Sequence, residues 1–268
     1  MNFDKLMLVS STKLIKRFKE DEFEIIIKEG EYKYYKYKKP LPYGLTFITI
    51  NFLKNELIIE FTSKISKLSF FELINEDTIR ECLYSIEPLV EFETNGGYID
   101  DILDEFRVFK CHVTKDVPYH DVWKLKQYVK SNLANNEKWA CEKWDNGFVL
   151  INLLSTPRHK KRITIYDKGK EIDRKAKKYK PFLETIYEDG FVYNDFEGIV
   201  RIEANINSVF QIKKLLDIPD NKLTSVLSSN ANPIYAILNE ALKEPSVSSG
   251  GKFIQGTFTI LAIEGVRF

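Results

Sequence analysis

Two periodicities alternate along this chain. Apolar residues recur at every second position in residues 23–28 and 31–38, split by Glu29-Gly30, and in 45–52 and 56–62, split by Lys54-Asn55. These read as two hairpins, because a half-buried strand places successive side chains on opposite faces. The segment 75–89 changes period: Ile79, Leu83 and Ile86 fall on one side of an amphipathic helix that Asn75 can cap. Beyond Gly96-Gly97, where a boundary is expected, strand spacing returns from Phe106 to Thr114. Asp121 can then cap a helix carrying Val122, Leu125, Val129 and Leu133. Strands follow at 138–144 and 147–154, joined through Asp145-Asn146-Gly147, then at 162–166 and 199–206. A lysine-rich helical stretch spans about 169–188, Ser208 opens a helix to about Leu216, and Pro233 to Lys243 reads as a further helix.

The pattern predicts an α+β fold, with antiparallel sheet forced by the hairpins and helices covering one face. Three regions are expected: 1–98, 99–216 and a mostly helical extension over 217–268. Composition agrees with a globular chain. Of 268 residues 44% are hydrophobic and 29% charged, and no apolar run nears the roughly 18 residues of a membrane span. The N-terminus lacks a long apolar core of the secretory type. Cys82, Cys111 and Cys141 are scattered, with no CxxC pair, so neither a zinc ribbon nor a disulfide framework is expected, and a reducing cytoplasm is the simplest setting.

The net charge of +1 conceals segregation. Residues 158–180 carry eleven basic side chains against three acidic ones, and residues 72–105 carry eleven acidic ones against Arg80 alone. A basic block of that density suits phosphate contacts, with a solvated helix face as the plain alternative. Lys160, Lys161, Arg162, Lys170 and Arg174 are its candidate DNA contacts. A second basic and aromatic stretch, Lys33 to Lys39, adds Lys36 and Lys38, although an edge strand with lysines facing solvent explains it as well.

Candidate chemistry lies in the second half. Tyr166 ends the strand Ile163–Tyr166, and a tyrosine hydroxyl can attack a phosphodiester through a covalent intermediate. Lys168, two residues on along an extended chain, would share its side and stabilise charge on the phosphorus. A Tyr-x-Lys taken alone is more often a core-edge tyrosine beside a surface lysine. In Val200-Arg201-Ile202-Glu203-Ala204-Asn205 the apolar positions leave Arg201, Glu203 and Asn205 on the opposite face, where a carboxylate suits a hard divalent cation. Lys110, His112 and Thr114 alternate out of one face of the 106–114 strand, so His112 is a candidate metal ligand or general base, although a lone histidine is more often structural. No P-loop and no Ser-His-Asp order is present.

Together, Tyr166-Asp-Lys168-Gly-Lys-Glu171 and Arg201-Ile-Glu203 resemble the Tyr-x-Lys-x-x-Glu and Arg-φ-Glu elements of rolling-circle replication initiators, of the filamentous-phage gene II and gene X type and of plasmids with the related Rep-trans fold. The resemblance spans about residues 45–216. It implies tandem ferredoxin-like modules of the HUH-like superfamily, the first without a nucleophile and the second catalytic. It implies nicking and joining of origin DNA, single-stranded or supercoiled, through a 5′-phosphotyrosine, with Tyr166 as nucleophile and Lys168 beside it. Glu203 would bind Mg²⁺ or Mn²⁺, Glu171 and Arg201 would support the site, and a host helicase and polymerase would be partners, without a membrane. The family's Arg-φ-Asp stands here as Lys110-Cys-His112, so either His112 serves as metal ligand, or Asp116 has taken over, or the metal site is degraded. The superfamily's paired histidines are absent. A non-catalytic replication regulator of the same fold, or a conjugative or mobilisation relaxase, are the competing readings.

Overall fold

A computed structural model describes residues 1–27, 33–37, 44–119, 121–156, 160–174, 182 and 196–242. Lys38, His120, His159 and most of the basic residues after Arg174 lie outside the described residues, as does the chain after Leu242.

In the first half the strands are β1 (Phe3–Ser10), β2 (Ile15–Phe18), β3 (Phe23–Ile27), β4 (Lys33–Tyr37), β5 (Leu45–Asn51), β6 (Glu56–Thr62) and the short β7 (Val90–Phe92), with helix α1 at Ile79–Tyr84. The second half runs β8 (Arg107–Pro118), α2 (Val122–Ser131), β9 (Trp139–Trp144), β10 (Gly147–Asn152), β11 (Arg162–Asp167), α3 (Lys168–Arg174), β12 (Ile199–Ile206), α4 (Val209–Leu216), α5 (Leu223–Leu227) and α6 (Pro233–Ala241). The fold is α+β, as its periodicities predict. Ten strands form one antiparallel sheet in the order β3-β4-β5-β6-β1-β8-β12-β11-β10-β9, and β2 pairs with β7 apart from it.

The expected boundary near residue 98 does not interrupt this sheet. β1 pairs antiparallel with β8, with Lys5 opposite His112 and Met7 opposite Lys110, so the two halves share one ladder. Outward from that seam each half runs through its first, fifth, fourth, third and second sheet strands. Strand β1 has no counterpart among the expected elements. A register shift between Phe3 and Lys5 breaks its alternation, so its buried positions Phe3, Leu6 and Leu8 do not keep an even spacing.

One face of the sheet is apolar. Leu6, Phe61, Cys111, Ile202, Ala204, Ile163, Ile165, Phe148 and Leu150 are buried there. In the second half α2 packs on β9, β10 and β11, α4 on β8, and α6 on β11 and β12. Each fully buried Phe, Ile or Leu contributes about 1.5–3 kcal/mol, so this layer is the main source of stability. The helix expected over 75–89 is shorter, at Ile79–Tyr84, because Asn75 closes a turn first: its side-chain oxygen accepts from the Asp77 and Thr78 amides. Among the described residues no helix is long and apolar enough to cross a membrane.

The opposite face carries the polar side chains. A smaller apolar cluster of Phe70, Ile172, Phe182 and Phe196 stands apart from the main core, and α3 lies against β11 and β12.

Candidate active site

Sheet register, more than sequence spacing, assembles this site. Three rungs cross β8, β12 and β11: Asp116–Arg201–Tyr166, Thr114–Glu203–Thr164 and His112–Asn205–Arg162. Alternation puts all nine side chains on the polar face. The face is not open to solvent there: Arg201 is fully buried, Tyr166 is 6% exposed and Glu203 8%.

The Tyr166 hydroxyl donates to Glu203 Oε1 at 2.6 Å. On the other side of that carboxylate, His112 Nδ1 lies 3.9 Å from Oε2. Burial, with Asp4 adding repulsion, pushes the Glu203 carboxyl up to about 7, although the Tyr166 hydrogen bond and Arg201 pull the other way. Burial, followed by the Glu203 and Glu171 charges, raises the Tyr166 phenol well above its ordinary value, so it stays a donor. Burial lowers His112, which favours the neutral imidazole that can ligate a metal.

Arg201 takes the other carboxylates. Its Nε and a terminal nitrogen donate to Asp116 Oδ1 and Oδ2, both at 2.7 Å, and its second terminal nitrogen donates to Asp4 Oδ1 at 3.0 Å. Burial opposes the charge of Arg201, but Asp116 and Asp4 outweigh it and hold the guanidinium firmly protonated. Both oxygens of Asp116 are thus committed to Arg201 and are not directed at the His112–Glu203 pair.

Lys168 was expected on an extended continuation of β11. The chain instead turns into α3 at this residue, with Asp167 Oδ1 accepting from the Lys170 amide. Buried Lys168 donates to Glu171 Oε2 at 2.7 Å, and its ammonium lies 5.8 Å from the centre of the Tyr166 ring. The ion pair leaves Glu171 supporting Lys168.

Among the described residues the candidate DNA contacts are spread over several elements. Lys161 pairs with Glu240 of α6, together with Lys138, on the helical side of the sheet. Arg174 pairs with Asp145 at the β9–β10 turn, and Lys170 with Asp167 at 3.3 Å. Lys36 is exposed on β4, within the first half, and Lys160 is half-buried just before β11. Arg162 alone stands on a rung of the site, its Nε buried without a hydrogen-bond partner.

Sequence reasoning omits three residues near the site. Asp4 and Lys5 come from β1, and Trp144 ends β9. The Trp144 and Tyr166 rings meet edge to face with centres 6.1 Å apart. A broken alternation hides Asp4, whose side-chain partners Ser63 and Arg201 are 59 and 197 residues away along the chain, so no local signal reveals it.

Among the described residues no three His, Cys, Asp or Glu side chains form a metal-holding group. His112 and Glu203 do suit a cation between them. Donors bound to one Mg²⁺-sized ion at about 2.1 Å lie roughly 3–4 Å apart, which accommodates their 3.9 Å. No family model, no curated protein and no solved structure matches this chain.

Proposed function

We propose that this chain nicks and rejoins single-stranded DNA through Tyr166, as a rolling-circle replication initiator does. The observation that carries this reading is the 2.6 Å hydrogen bond from the Tyr166 hydroxyl to Glu203, which links two adjacent buried rungs, the one carrying Tyr166 continuing through Arg201 to Asp116. A tyrosine needs a base within hydrogen-bond reach to attack at neutral pH, and a carboxyl titrating near 7 is matched to that work.

Glu203 Oε1 takes the phenolic proton as Tyr166 Oη forms its bond to phosphorus. The bond from phosphorus to the 3′ oxygen breaks, and that oxygen takes a proton from solvent. The products are a 5′-phosphotyrosine and a free 3′-hydroxyl. Rejoining reverses each step. Lys168, held by Glu171, places fixed positive charge beside the Tyr166 ring, where phosphorane charge develops. Arg201, locked between Asp116 and Asp4, keeps the floor of the site rigid and holds no phosphate itself. His112 and Glu203 Oε2 would hold a divalent cation, Mg²⁺ or Mn²⁺, which when bound supplies Lewis-acid polarisation of the phosphate.

The test is a denaturing gel of the protein incubated with a labelled single-stranded oligonucleotide library and Mn²⁺. A covalent adduct is expected with the parent and none with Tyr166→Phe. An adduct that persists in Tyr166→Phe would refute the nucleophile. One observation favours a second reading, DNA binding without chemistry: Arg201 occupies both oxygens of Asp116 and leaves two cation donors. That reading predicts retention of DNA on a native gel and no adduct under any divalent cation.

A further inference from the structure

We infer that Trp144 is a stacking platform for one unpaired nucleobase beside the scissile phosphate. This rests on the nuclease reading of Tyr166, and it adds a substrate requirement, a splayed base next to the cut.

The platform follows from register. Trp144 pairs with Gly147, and Gly147 with Tyr166, so the three positions form a single rung at the end of β9, β10 and β11. The Trp144 and Tyr166 side chains face the polar side of the sheet, along with Glu203. Adjacent strands lie about 4.8 Å apart, so Trp144 sits two strand spacings, roughly 10 Å, from the backbone that carries the nucleophile. That is the distance scale of one nucleotide and its base.

Gly147 gives the indole its place. A Cβ there would fall 2.7 Å from Trp144 Nε1, 2.6 Å from Tyr166 Cβ and 2.2 Å from the Ile165 carbonyl oxygen. The glycine's φ is not in the left-handed region, so the turn does not demand it. It leaves room for Trp144 to lean across β10 toward Tyr166.

Trp144 remains 40% exposed while Tyr166 beside it is buried. The two rings meet at 90°, so the indole uses an edge contact here. The neighbouring Lys143 points to the other face, over Trp123 at 4.6 Å, so the strand sends a cation to the helical side and an aromatic to the site. Trp144 therefore has the two attributes of a base platform: an accessible ring and a fixed position near a phosphate-directed nucleophile. A base inside a duplex has both faces covered by its neighbours, so stacking on Trp144 selects unpaired DNA.

The experiment uses the full chain carrying Tyr166→Phe, which removes covalent chemistry from the measurement. Affinities are determined for a mixed-sequence 20-nucleotide single strand and for its duplex. Trp144→Ala should weaken single-strand binding about tenfold or more, and Trp144→Phe should restore most of it, with duplex binding changed in neither. Unchanged single-strand affinity in Trp144→Ala would overturn the inference. So would an equal loss on duplex, or a loss that Trp144→Phe does not restore, because each marks a general disturbance of the sheet end. Failure of the nuclease reading is read separately, from the covalent adduct of the Tyr166 protein.

Discussion

The two halves of the sheet place their strands in the same order and use them for different chemistry. Glu60 on β6 and Glu203 on β12 occupy matching rungs, opposite Met7 and Thr114. Two residues earlier, the second half carries Asp116–Arg201–Tyr166, where the first carries Val9–Ile58–Thr49. Two residues later, His112 opposes Asn205 where Lys5 opposes Thr62. In the first half Lys5 neutralises its glutamate at 2.6 Å. In the second, an imidazole and a phenol surround the glutamate, and the compensating cation is on the next rung, given over to other acids. The same ladder thus yields an ordinary ion pair on one side and an under-compensated buried carboxyl on the other.

The largest effect should come from copying one rung onto the other. Arg201→Ala leaves Asp116 and Asp4 without their cation and should cost about 3–5 kcal/mol in urea unfolding. Arg201→Ile with Asp116→Val reproduces the Ile58–Val9 rung and should recover part of that loss, since it removes the buried charge of Asp116 and leaves only Asp4 without its cation. Equal losses in the single and double variants would break the equivalence of the rungs.

The pH dependence of stability should have opposite signs in the two halves. Glu203 binds its proton more tightly folded, at about 7 against 4.5. Between those values the unfolded chain has released a proton that the folded one holds. Its contribution is therefore largest below pH 4.5 and falls by about 3 kcal/mol as pH rises through 7. At Glu60 burial is outweighed by Lys5 and the carboxyl is lowered, so its contribution is present above pH 4.5 and is lost on acidification. Melting curves from pH 4 to 8 in chelator should flatten at the neutral end in Glu203→Gln and at the acid end in Glu60→Gln. The same slope in both variants would contradict this assignment. Smallest of all, Lys5→Met should change stability by under about 1 kcal/mol, because the pair it breaks is partly solvated; a calorimetric scan checks it.

Strand β12 was legible to the residue, because Val200, Ile202, Ala204 and Ile206 alternate without a break and are all buried. Period-two alternation also placed Tyr166, Glu203 and His112 on outward faces, which is how a sequence can suggest that they meet. It did not show that Arg201 would bind both oxygens of Asp116, since register between β8 and β12 is a property of folded pairing. The Asp145-Asn146-Gly147 turn was legible, but not the close approach of Ile165, Tyr166 and Trp144 to Gly147 that its lack of a side chain permits. The direction in which the basic block faces was not legible. Charge density along the chain says nothing about direction, and Lys161 and Arg174 spend their charge on Glu240 and Asp145.

The β1–β8 seam has a consequence for how the molecule is made. Asp4 leaves the ribosome 197 residues ahead of its partner Arg201. Until β8 emerges, the first half can pair β1 with β6 but presents the other edge of β1 unpaired. The whole sheet is therefore of high contact order, and closing it is slow compared with folding of the local hairpins. Vectorial synthesis keeps the tyrosine centre incomplete until β12 is out, so no nascent fragment carries an assembled site. The price is a waiting strand edge, the kind of surface that recruits chaperones or strays into another chain when synthesis outpaces closure.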